Sequence, residues 1–228
     1  MLAQKYWEIA TALPEPVKKA LAAVAIFASR MLIPRTFTFR NREYPYFFHR
    51  YNLTWRNERA VEIPIARVIL SGYAGKRVLE VGNVLSHYDT VSYDVVDKYE
   101  RGDGVINQDI VCYEPGNEYD LIMCISTLEH IGFDEPEKDP DKPSAAMRRL
   151  ESLLAPGGEL VVTFLLGHNP ALDEKLAHGQ LGFTELYTMR RKRLLNIWSQ
   201  VAAESLSDRS CTKHGNAILV LGIVRNTA

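Results

Sequence analysis

Four side chains stand where they could work on a bound small molecule: Glu80, Asp97, Asp109 and His130. Each ends or closely follows a burst of β-formers. The bursts are Arg77-Val-Leu-Glu-Val-Gly82, Val95-Val-Asp97, a short run near 104–107 leading into Asn107-Gln-Asp-Ile110, and Tyr119-Asp-Leu-Ile-Met-Cys-Ile-Ser-Thr-Leu-Glu-His130. Parallel strands deliver their C-terminal ends to a ligand crevice, and the polar or glycine residue closing each burst is what such an edge requires. Gly82 lets the backbone approach a ligand with no Cβ in the way. A carboxylate at the end of the next strand, Asp97, can accept both hydroxyls of a ribose. Asp109 is placed to meet an adenine amino group, and an imidazole such as His130 can take a proton near neutral pH. The combination points to a nucleotide-like cofactor.

The elements that must hold these residues follow from the hydrophobic pattern. Val61, Ile65, Val68 and Ile69 recur at helical spacing over 57–70, with Gly72 as a stop. Strands are expected at 77–82, 92–97, 104–107, 119–126 and 158–165, with a helix at 143–154. This alternation reads as an α/β sheet with right-handed crossovers. Only ten residues separate Gly82 from Tyr93, fewer than a helical crossover takes. Either that crossover is a single turn or the second strand lies elsewhere. Leu186 to Ile197 is amphipathic, and Val201–Ser205 with Ala217–Arg225 reads as a terminal antiparallel hairpin.

Of 228 residues, 46% are apolar, enough for one substantial core. The expected division is an N-terminal helical and aromatic extension, 1–56, and a main domain, 57–228. The rings of Phe37 to Trp55 need a surface to cover. Residues 1–60 hold ten Lys/Arg against four Asp/Glu, while the remainder is acidic and the whole carries −1. An acidic body argues against a nucleic-acid partner. Cys112, Cys124 and Cys211 are too few and too scattered for a disulfide framework or a metal site, and read as buried apolar residues of a cytoplasmic protein. The small-apolar run Ala20–Ser29, flanked by Lys18, Lys19 and Arg30, is too short to span a bilayer. It is read as a helix packed on the body, with an in-plane membrane-peripheral or partner-binding helix as the second reading. Nothing in the sequence fixes an oligomeric state.

Taken together, these strings resemble the class I S-adenosylmethionine-dependent methyltransferases over about residues 57–225. Val78-Leu-Glu-Val-Gly82 is similar to the first motif, Asp97 to the ribose-binding acid, Asp109 to the adenine contact, and Leu154-Ala-Pro-Gly-Gly-Glu-Leu-Val-Val162 to the turn into the fifth strand. Asn57-Glu-Arg-Ala-Val-Glu-Ile-Pro64 and Leu79–His87 further resemble small bacterial members. The resemblance implies a Rossmann-like, mostly parallel seven-stranded sheet whose seventh strand runs antiparallel, and S-adenosyl-L-methionine as cofactor. It implies cofactor contacts from Glu80, Gly82, Asp97, Asp109, Ile110, Ser126 and Trp55. The usual Glu/Asp-x-Gly-x-Gly-x-Gly is reduced to Glu80-Val-Gly82-Asn-Val-Leu-Ser86, so Asn83 and Ser86 are expected to hydrogen-bond where glycines usually stand. The same loss weighs against a nicotinamide dehydrogenase, which seats a pyrophosphate on a glycine-rich turn.

Methyl transfer to an alcohol needs a base, and His130 is the candidate, with a structural histidine as the alternative. Lack of an Asp/Asn-Pro-Pro-Tyr/Phe loop argues against methylation of nucleobase or amide nitrogen. The expected acceptor is therefore an oxygen of a small or carbohydrate-like molecule. His168, Asn169 and Tyr51 are the expected substrate contacts. Arg190-Arg-Lys-Arg193 reads either as an anion-binding patch or as a solvated helix face. A cofactor-binding module without turnover is the competing function.

Overall fold

A computed structural model describes residues 14–192, 195–202 and 217–227. In chain order the elements are α1 (Glu15–Leu32), β1 (Thr36–Phe39), β2 (Arg42–Pro45), α2 (Arg59–Ser71), β3 (Val78–Val81), β4 (Asp94–Val96) and β5 (Val105–Ile106). They continue with β6 (Tyr119–Ile125), α3 (Lys142–Ser152), β7 (Leu154–Leu165), α4 (Pro170–Ala177), β8 (Glu185–Arg191), β9 (Trp198–Val201) and β10 (Ile218–Arg225). Eight strands form one sheet in the order β5-β4-β3-β6-β7-β10-β8-β9. Strands β3 to β7 are mutually parallel, while β10 is wedged antiparallel between β7 and β8. This is the expected Rossmann-like sheet with a reversed strand near one edge.

Two differences from the sequence reading concern that edge. The sheet has eight strands rather than seven, because β9 pairs antiparallel with β8. The antiparallel hairpin is thus β8–β9, and 218–225 pairs with 159–165 and 185–190 instead of with 201–205. The reason is burial: seven of the eight β10 residues are buried, and only an interior strand can bury both faces. Most of the expected partner run, 203–205, lies outside the described residues, as do Arg193 and Cys211. Arg190 and Arg191 sit on β8, so the basic run begins on a strand and not on a helix face.

The sheet is covered on both faces. On one, α3 and α4 place Met147, Leu150, Leu172 and Leu176 against Leu79, Ile122 and Leu160. On the other, α2 packs Val61, Ile63 and Ile65 against Leu121, Met123 and Ile125. The aromatic stretch forms an unforeseen β1–β2 hairpin, turned by Arg40 and Asn41 at positive φ, and its Phe37, Phe39 and Tyr44 join that second cluster. Pro64, inside α2, cannot donate to the carbonyl four residues back. That carbonyl, of Ala60, accepts instead from the Phe47 N–H at 3.0 Å, tying the extension to the helix.

The short first crossover resolves as a single 3-10 turn, Leu85–His87. Cys124 is buried as expected, but Cys112 is exposed at the end of the turn Ile110–Cys112. Helix α1 has no fully buried residue; it meets the body at the 3-10 segment Tyr51–Arg56, with one side half-buried.

Candidate functional site

The C-terminal ends of β3, β4 and β6 open into a cavity of about 470 Å³. Beneath it, the turn after β3 is shaped by two carboxylates. Glu80 Oε1 accepts from the Val84 and Leu85 N–H groups, both at 2.8 Å, and Oε2 accepts from the Tyr93 hydroxyl. Asp97 Oδ2 accepts from Asn83 N–H at 3.1 Å, while Oδ1 accepts from the Tyr99 and Glu100 amides. The three amides following Gly82 therefore all end on carboxylates. A turn that seats phosphate must offer such amides outward, and a three-residue 3-10 turn supplies no macrodipole to replace them. The floor suits a neutral or cationic ligand.

Gly82 has φ of 83°, and a Cβ there would overlap the Thr127 side chain. Its freedom is used to let β6's following loop close over β3, and Gly82 and Thr127 both line the cavity. Ser126, at the end of β6, has φ of 38°, and Asn52 at the rim has 51°. Both line the cavity, and non-glycine residues held in this region cost of order 1–3 kcal/mol each, typically where function demands it. Ser126 is fixed by a buried network: its hydroxyl and that of Thr163 donate to Glu62 Oε1 at 2.7 and 2.6 Å, and Arg59 donates to Oε2 at 2.6 Å. Arg59 itself reaches the cavity wall.

Opposite the floor, two loops meet. His130 and Asp134 stand one helical turn apart after β6, and His168 follows β7. Asp134 Oδ2 is hydrogen-bonded to His130 Nδ1 at 2.5 Å and to His168 Nε2 at 2.9 Å. The His130 hydrogen bond, reinforced by His168, holds the Asp134 carboxyl below the usual range. The loops are stapled beneath this cluster: Asn169 Nδ2 donates to the Glu129 carbonyl, its Oδ1 caps α4, and Glu129 Oε1 accepts from Leu165 N–H. Glu129 is 2% exposed and its Oε2 has no partner; burial pushes its carboxyl up to about 8. The potential ligand atoms of His130, Asp134 and His168 lie within 4.8 Å of one another, a two-imidazole, one-carboxylate set of the kind that holds divalent transition cations.

On the third side, Lys98 and Lys142 bridge Asp109 and Glu135 at 2.5 to 3.0 Å. Burial opposes charge on Asp109, but the lysine hydrogen bonds win and keep its carboxyl below the ordinary value. Tyr51 closes the rim, stacked on His87 with centroids 4.2 Å apart and edge-on to Tyr88.

Of the residues singled out by sequence, Gly82, Asn83, Asp97, Asp109, Ile110 and Ser126 line this cavity, together with His130 and Tyr51. Five do not. Glu80 is fully buried beneath the turn it shapes, Ser86 spends its hydroxyl on Asn83 Oδ1, and Trp55 is buried behind the rim. Asn169 is a buried helix cap, and His168 stands behind the cavity wall, bonded to Asp134 and edge-on to His130. Arg59, Lys98, Tyr88 and Asp134 line the cavity without having been foreseen. Asp134 was within reach, since it lies four residues from His130, the spacing that pairs side chains on a helical turn.

No protein-family model matches the chain, and no curated protein matches it. Among solved structures it is similar to an S-adenosylmethionine-dependent methyltransferase from Archaeoglobus fulgidus, 17% identical over 77% of this chain and 97% of that one, TM-score 0.47. It is also similar to magnesium protoporphyrin IX methyltransferase from Synechocystis (16%, 76% and 82%, TM-score 0.42). A third is the N-methyltransferase NodS from Bradyrhizobium japonicum bound to S-adenosylhomocysteine (15%, 75% and 94%, TM-score 0.39). The α/β class is carried by the strand order and directions of the sheet.

Proposed function

We propose that the chain is an S-adenosylmethionine-dependent methyltransferase acting on an oxygen of a small or carbohydrate-like acceptor. The observation that carries this reading is the floor of the cavity: Asp97 at the end of β4, held by backbone amides beside a turn whose own amides are spent on carboxylates. That floor has nothing to offer a pyrophosphate, whereas an adenosyl sulfonium is cationic and lacks phosphate. When bound, the cofactor supplies an electrophilic methyl carbon.

The chain's residues would hold and orient. Asp97 Oδ1 is taken by two amides, but Oδ2 accepts only the Asn83 amide and keeps a lone pair for a ribose hydroxyl. Asp109 and Ile110 flank the expected place of the base. The Arg59 guanidinium, fixed by Glu62, is suited to a carboxylate. Across the cavity, Asp134 orients His130 through Nδ1, which leaves Nε2 to take a hydroxyl proton from the acceptor. Tyr51 and the rings beside it exclude water, and alignment of nucleophile, carbon and sulfur does the rest.

The test is calorimetric titration with S-adenosylmethionine and S-adenosylhomocysteine, using the native chain and Asp97→Asn. Both ligands should bind the native chain. The variant should bind about tenfold more weakly, as expected for loss of a charged hydrogen-bond acceptor. Absence of binding by the native chain, or binding of a nicotinamide dinucleotide in its place, overturns the reading. Release of S-adenosylhomocysteine with glycan acceptors then distinguishes an enzyme from a module that binds without turnover.

A further inference from the structure

Helix α1 presents its apolar residues to solvent. Val17, Leu21, Val24, Phe27, Met31 and Leu32 are all exposed, reaching 66% for Val24, 67% for Phe27 and 72% for Met31. At 100° per residue they fall on one side of the helix, and Ala20 and Ala28 complete the stripe without a polar interruption. The half-buried positions, Lys18, Ala22, Ala25, Ile26 and Ser29, form a different and smaller-residue side. An apolar face of this size left in water is unusual for a soluble domain and marks a docking surface.

Charge says what docks there. From Glu15 to Arg42 the chain has six basic residues, Lys18, Lys19, Arg30, Arg35, Arg40 and Arg42, and a single acidic one, Glu15, which Lys18 already pairs. Lys19, Arg30 and Arg35 are exposed. Packing two copies of this helix face to face and antiparallel would bring Lys19 and Arg30 of both copies to the same flank. An anionic lipid surface instead offers acyl chains to the stripe and negative headgroups to its borders. Among the described residues no helix is long and apolar enough to cross a membrane, which fits a helix lying in the interface plane.

We infer that α1 is an in-plane anchor that binds the protein peripherally to anionic bilayers. The apolar face enters the headgroup boundary, and the basic residues take the negative surface potential, each worth about 1 kcal/mol near an anionic leaflet. Because α1 packs on the 3-10 segment Tyr51–Arg56, whose Tyr51 closes the cavity rim, the anchor is structurally continuous with the mouth of the site. The inference does not depend on what the cavity binds.

The test is co-flotation of the full chain with phosphatidylcholine vesicles prepared with and without phosphatidylglycerol, using the native protein, Leu21→Glu/Phe27→Glu, and Lys19→Glu/Arg30→Glu. Both pairs are exposed, so circular dichroism and thermal melting should be unchanged. The native chain should bind the anionic vesicles, several-fold less once salt rises from about 0.1 M to about 0.5 M. Each pair of substitutions should weaken binding by on the order of tenfold or more, the first by removing apolar burial and the second by reversing charge. Failure of the native chain to float with anionic vesicles overturns the inference. So does binding that the Leu21/Phe27 pair leaves unchanged, or a native dimer that this pair dissociates and that blocks flotation.

Discussion

Replacing Glu129 with glutamine removes a proton-uptake cost from folding, and the gain depends on pH in a way that identifies its source. Burial raises this carboxyl from an ordinary 4.5 to about 8, so in the folded protein it is neutral at pH 7 while in the unfolded chain it is ionised. Well below pH 4.5 both states hold the proton and the group contributes nothing. As pH rises through the unfolded value the folded state is increasingly penalised, and the penalty levels off above the folded value. At 1.36 kcal/mol per unit the cost is about 1 kcal/mol at pH 5 and about 3 kcal/mol at pH 7. Glutamine keeps an oxygen for the Leu165 amide and the same shape, but carries no proton to lose. Urea unfolding of both proteins at the two pH values cancels every other titration, since those are shared. Glu129→Gln should be the more stable, with its advantage growing by about 2 kcal/mol between pH 5 and pH 7, a midpoint shift of order 1 M urea. An advantage equal at both pH values, or a loss of stability at pH 7, refutes the assignment of a buried neutral acid under the two loops.

Other outcomes follow from the same geometry. His130→Ala should lower kcat by about 10²–10⁴, while leaving S-adenosylmethionine affinity within a few-fold, because the imidazole would act on the acceptor; a loss confined to cofactor binding in calorimetry would contradict that role. Asp134→Asn, with the same assay, should reduce kcat through loss of imidazole orientation, and no change would mean that Asp134 does not orient the base. Arg59→Met should cost about 3–5 kcal/mol in chemical denaturation by stranding the buried Glu62 carboxylate, and adding Glu62→Gln should recover much of the loss. Zinc ions should inhibit by engaging His130, Asp134 and His168, measured as metal binding in calorimetry, and His168→Ala should weaken that binding by tenfold or more if three ligands are used.

The inner strands β3, β4 and β6 were readable as strands because each is a mostly apolar run that ends at a glycine or polar residue, the pattern that buried parallel strands demand. The edge was not. Ala217–Arg225 has the composition of a central strand, but its neighbours are fixed by which gap in the sheet needs covering, and that is a tertiary fact. Within the site, Asp97, Asp109 and His130 could be found because a strand end positions one residue rigidly. Arg59 and Lys98 were missed because they reach the cavity by side-chain length, from a helix start and from a loop whose direction periodicity does not encode.

Gly82 shows how a motif can be legible while its physical reason is not. From sequence, a glycine after the first strand is explained by a ligand's need for space. In the folded chain the space its missing Cβ leaves is taken by Thr127, so the glycine serves loop closure. The chemistry of the cavity floor passes instead to the carboxylates that take up the neighbouring amides. The missing second and third glycines then become intelligible. With Val84 and Leu85 amides given to Glu80, and Asn83 held by Asp97 and Ser86, this turn is stabilised by side-chain acceptors and has little need of glycine's freedom. A Glu80→Gln substitution keeps one acceptor oxygen but weakens both bonds by removing the charge, and its cost should appear as loss of the turn's amide protection in hydrogen exchange. Protection unchanged at Val84 and Leu85 would mean that the turn is held by its backbone alone.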